Sequence, residues 1–83
     1  MAQLDIANIQ EIIKERPTIH TKVKSTYSVF KIGDDKYVQL DTYGNSGREN
    51  SEQVSQTIQL DKKSAIYIVK LLIKNFDLLN LNN

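Results

Sequence analysis

From Lys36 to Tyr43 the chain alternates strictly, with Val38 and Leu40 on one parity and Tyr37, Gln39, Asp41 and Tyr43 on the other. A period of two is the mark of a strand with one apolar face. Val54 to Leu60 repeats the pattern, with Val54, Ile58 and Leu60 on one face and Ser55, Thr57 and Gln59 on the other. The polar loop between them, Gly44 to Gln53, holds Gly44, Gly47 and the lone Arg48. Upstream, Ile19 to Ile32 (IHTKVKSTYSVFKI) is rich in β-branched and aromatic residues and reads as a further strand. Val23, Tyr27 and Val29 share one parity there, and Lys22, Lys24, Thr26 and Ser28 the other. Phe30 and Ile32 then fall on the polar parity, which predicts a bulge or a second buried surface near Val29–Phe30. Gly33-Asp34-Asp35 supplies a tight hairpin turn.

Helical spacing frames this sheet. Ile6, Ile9 and Ile13, behind Asp5 as N-cap and ahead of Pro17, predict a helix over 4–15. Asp61, with Ser64 three residues on, opens a longer helix. Its seam runs through Ala65, Ile68, Val69, Leu72, Phe76 and Leu79. Ile66, Leu71 and Ile73 lie outside that seam and widen the apolar arc to roughly 200°, about twice what a surface helix needs. The surplus predicts a homodimer, most simply two-fold, with the C-terminal helices packed together through Ile66, Leu71 and Ile73.

The predicted fold is a small α+β domain spanning 1–83, in the order α-β-β-β-α. An N-terminal helix and lead-in (1–18) precede a curved antiparallel meander (19–60). A long C-terminal helix (61–79) packs across one face, and 80–83 form a frayed tail.

Size strengthens the expectation of a partner subunit, because 83 residues without cysteine have neither a large core nor a disulfide to staple them. The lack of cysteine also excludes a thiolate metal site. The N-terminus lacks a basic region followed by an apolar one, and the apolar run Ala65–Ile73 is interrupted by Lys70 and too short to span a bilayer. A cytoplasmic protein without membrane association is expected.

Catalytic chemistry finds little to use. His20 is the single histidine and has no spaced partner, so no metal site and no cofactor are expected. No Gly-x-Ser-x-Gly is present, and Gly44-Asn45-Ser46-Gly47-Arg48 lacks the spacing and lysine of a phosphate-binding loop. Asp34 and Asp35 suit a turn better than a magnesium site shared with Asp41. The chain is expected not to be an enzyme.

The polar sheet face offers more. Tyr37 and Tyr43 are candidate stacking residues for bases, with Lys22, Lys24 and Arg48 as phosphate contacts and Gln39 as polar support. The same tyrosines and hydroxyls also suit an ordinary solvated strand. Net charge is only +1, so a nucleic-acid footprint has to come from local clustering. The rival expectation is a protein-interaction module, an accessory or inhibitor subunit acting through its apolar helix face.

A strand running directly into a capped helix, QTIQLDKKSAIYIVKLL, after antiparallel strands and an arginine-bearing loop, resembles the single-stranded DNA-binding domain of positive cofactor four and its bacterial relatives. The likeness covers Tyr37 to Leu72 and is one of pattern. It implies binding of single-stranded nucleic acid on a sheet face and dimerisation through the helix. Gln56-Thr57-Ile58-Gln59-Leu60 stands where that family has a glycine-containing strand, and the N-terminal helix has no counterpart there.

Overall fold

A computed structural model describes residues 1–44 and 53–80. The sheet comprises β1 (Ala2–Gln3), β2 (Ser25–Ile32), β3 (Asp35–Tyr43) and β4 (Val54–Leu60), in the spatial order β1-β4-β3-β2. β2, β3 and β4 form the expected antiparallel meander, and α1 (Lys62–Phe76) follows β4 directly. The α+β class and the single C-terminal helix stand.

The N-terminal helix does not form. Asp5 does act as a cap, its Oδ1 accepting from the Ala7 amide at 3.0 Å, but only a 3-10 turn, Ile6–Asn8, follows. Ile9 is already extended, and 9–24 holds no regular element. Ahead of that turn the chain pairs at the sheet edge instead: β1 adds parallel to β4, and the Leu4 amide donates to the Gln59 carbonyl at 3.1 Å. The sheet is therefore mixed rather than wholly antiparallel. β2 also begins at Ser25, so Lys22 lies outside it.

The hairpin between β2 and β3 turns through Gly33, whose φ of 64° no β-branched residue adopts comfortably. Left-handed geometry at the first central residue alone is the pattern of a type II′ turn, whose twist suits the flanking strands. From Ser25↔Thr42 to Ile32↔Asp35 the register is unbroken, so of the two expectations near Val29–Phe30 the bulge is absent, while Phe30 is half-buried on the other face beside Tyr37. The irregularity lies instead at Thr42/Tyr43, where Thr42 faces Gln56 and Tyr43 faces Val54. Ser55 is the extra residue, and it moves Val54 off the apolar parity on which alternation had placed it.

α1 begins with a complete capping box. Asp61 Oδ1 accepts from the Ser64 amide at 2.8 Å, and Ser64 Oγ accepts from the Asp61 amide at 3.0 Å. The helix ends at Phe76, ahead of the predicted 79, because Asp77 takes the left-handed conformation (φ 53°) and its amide donates to the Ile73 carbonyl. A 3-10 turn, Leu78–Asn80, follows. The Ser64 bonds hold the Asp61 carboxyl below its ordinary value of 3.8. A depressed carboxylate contributes stability that is present above that ordinary value and is lost as pH falls through the lowered one. Asp61→Ala is therefore expected to lower the melting temperature at neutral pH. Asp61→Asn, which still caps, is expected to keep most stability and flatten the acid limb of a melting-temperature profile.

No apolar side chain is buried among the described residues; only Thr57 and Ser64 are. The predicted core seam of α1 is open, with Val69 52% and Phe76 69% exposed. Within one chain α1 adjoins the end of β4 and the 3-10 turn at Ile6–Asn8, and it leaves the apolar sheet face uncovered.

Candidate nucleic-acid interface

Strand register builds the polar face row by row. Phe30 pairs with Tyr37 at one end. Ser28, Gln39, Gln59 and Gln3 form the next row, and Thr26, Asp41 and Thr57 the one after. Tyr43 and Val54 form the last. Tyr37 and Tyr43 stand six residues apart on one strand, roughly 20 Å at the rise of an extended chain. Aromatic rows thus bracket rows of amides and hydroxyls.

Each tyrosine has a defined neighbour. The Tyr37 ring stacks on Phe30 with centroids 5.8 Å apart and planes 28° from parallel. Lys24 Nζ lies 5.1 Å from the centre of the Tyr43 ring, a cation–π contact. The Tyr43 amide donates to the Lys24 carbonyl at 3.0 Å, which continues the pairing past the end of β2. The Tyr43 hydroxyl lies 3.1 Å from Thr26 Oγ1, which fixes the ring's tilt.

The centre is a connected polar network. Thr57 Oγ1 donates to Asp41 at 2.6 Å, and Gln39 Nε2 donates to both Asp41 oxygens at 3.1 and 3.2 Å. Gln59 Nε2 donates to Gln39 Oε1 at 2.8 Å, and Gln3 Nε2 to Gln59 Oε1 at 3.3 Å. A hollow of about 410 Å³ lies over this network, bordered by Met1, Gln3, Gln39, Asp41, Thr57 and Gln59. Donors from the glutamine and threonine hold the Asp41 carboxylate in place, so its negative charge is oriented by the sheet.

Of the expected contacts, Tyr37, Gln39, Tyr43 and Lys24 come together on this face. Lys22 sits before β2 in an irregular, exposed stretch, and Arg48 lies outside the described residues. Phe30 and Gln3 belong to the face although they were not expected there. Phe30's break in parity was the signal for one; for Gln3, whose place depends on the parallel edge strand, no local signal exists. His20 is exposed in the irregular segment, outside every row. Among the described residues, no group of three or more His, Cys, Asp or Glu side chains converges to hold a metal. No helix among them is long and apolar enough to cross a membrane.

No protein-family model, curated protein or solved structure matches this chain.

Proposed function

We propose that this chain is a non-enzymatic, homodimeric protein of the cytoplasm that binds single-stranded DNA or RNA on the polar sheet face, without a cofactor. The observation that carries this reading is the Phe30–Tyr37 stack and the Lys24-flanked Tyr43 bracketing a face of amides. Every base has a π-face, so such rows accept single strands without reading sequence, while cations at the margin neutralise phosphates. A duplex hides its base faces and gains less from the same surface. The likeness to the positive cofactor four domains points the same way.

The test is an anisotropy titration with single- and double-stranded oligonucleotides at two salt concentrations. Single strands are expected to bind more tightly, and absence of binding at about 50 mM salt ends the proposal. Lys22→Ala, Lys24→Ala and Arg48→Ala are each expected to reduce the salt slope by about 0.7, the value for one phosphate left unneutralised on a single strand. His20→Ala is expected to leave affinity unchanged; a large loss without unfolding reopens acid–base and metal chemistry. A protein-interaction module is the second reading, favoured by the exposed apolar residues of β2, β3, β4 and α1.

A further inference from the structure

The opposite sheet face follows from the same register. Ser25, Thr42 and Gln56 form a polar row at one end, and Lys31 faces Lys36 at the other. Between them lie two apolar rows: Tyr27, Leu40 and Ile58, then Val29, Val38 and Leu60. An apolar centre inside a polar rim is the anatomy of a protein interface. The chain leaves it open, with Tyr27 74%, Val29 53% and Leu40 45% exposed. α1 has the converse defect, an apolar helix whose Ile66, Val69 and Phe76 stand open to solvent.

We propose that a second copy of this chain occupies this face, with α1 of each copy lying across the apolar sheet face of the other. Surface area supports it. The chain exposes 7877 Å², whereas a folded monomer of 9.5 kDa exposes about 5,000 Å². The excess, near 2,800 Å², is larger than the roughly 1,000–2,500 Å² that each subunit of an obligate dimer buries, and the exposed irregular segment 9–24 contributes part of it. Extension agrees: the radius of gyration is 15.4 Å, against about 12 Å for a compact chain of this length.

Complementarity selects a second copy over another protein. An unrelated partner has to provide both a cover for the sheet and a bed for the helix. One two-fold operation on this chain provides both, and an isologous contact closes without leaving either surface free. The contact moves from helix against helix, as the apolar arc alone implied, to helix against sheet. It does not depend on the polar face binding anything.

The chain has no cysteine, so single introduced thiols report contacts without background. Sheet variants (Val29→Cys, Leu40→Cys, Ile58→Cys) are each mixed with helix variants (Val69→Cys, Leu72→Cys, Phe76→Cys) under mild oxidation. Ser28→Cys, on the polar face, is the control. Disulfide-linked dimers are expected in sheet–helix mixtures and not with Ser28→Cys. Cross-links only between helix variants overturn the exchanged arrangement, as do equal yields with the control. Sedimentation of the unaltered chain guards against variants that fail to fold. A mass twice 9.5 kDa at micromolar concentration is expected, and a stable, folded monomer overturns the proposal.

Discussion

Tyr37→Ala and Tyr43→Ala are each expected to weaken single-strand binding by roughly 5- to 150-fold, the factor equivalent to about 1–3 kcal/mol of stacking per base. The two losses should differ in kind. Tyr37 has Phe30 beside it, so its removal also unsettles the second ring of that row. Tyr43 shares its ring with Lys24, so its removal takes away both a stacking surface and the seat of a cation. Phenylalanine separates these effects from mere polarity. Tyr37→Phe keeps the ring and should bind nearly as the parent does. Tyr43→Phe gives up the hydroxyl that meets Thr26 and should bind slightly more weakly. Stacking losses persist at all salt concentrations, whereas phosphate losses fade as salt rises. Unchanged affinity in both alanine variants, with circular dichroism unaltered, removes the face from the binding reaction.

Parity was the legible part of this sheet. Val38 and Leu40 against Gln39 and Asp41, and Ile58 and Leu60 against Thr57 and Gln59, divide as alternation predicts, because a strand cannot turn successive side chains to the same side. The Asp61–Ser64 cap was legible because it is a local device between residues three apart. The N-terminal segment was not. Its isoleucine spacing is a local helical signal that the chain follows for only one 3-10 turn, and the edge strand ahead of it rests on a pairing between Ala2 and Ile58 that no window of sequence contains. Val54 was misplaced for a related reason: the bulge at Ser55 carries no glycine or proline to announce it. Phe30 breaks the alternation of its own strand, yet it faces Tyr37 across the hairpin in regular register. The polar face is simply less polar at that end. The largest omission concerned burial itself. Alternation marks a face as apolar, but not whether the chain's own atoms cover it.

Unfolding of this protein is therefore expected to depend strongly on its concentration. With no apolar side chain buried among the described residues of one chain, the larger part of the hydrophobic contribution to stability is expected from the proposed contact between copies. Ordering a residue costs about 1–2 kcal/mol of backbone entropy, and half-exposed side chains on an open sheet do not offset that over a whole domain. Dissociation and unfolding then form one step, as in obligate homodimers without a stable folded monomer. A hundredfold dilution lowers the free energy of that step by about 2.7 kcal/mol through mass action. At a urea dependence of about 2–3 kcal/mol per molar, the midpoint should fall by about 1 M. Leu40→Ala and Ile58→Ala, which thin the apolar rows, should each shift the whole series downward by about 2–5 kcal/mol per site if that site is fully covered in the dimer. Both sites occur twice in a symmetric pair, so the loss per dimer doubles. Urea curves recorded by circular dichroism at about 1 and 100 μM decide the matter, the concentrations being those of the hundredfold comparison. Superimposable curves place the folding energy within the single chain and leave the exposed rows of β2, β3 and β4 without a thermodynamic role.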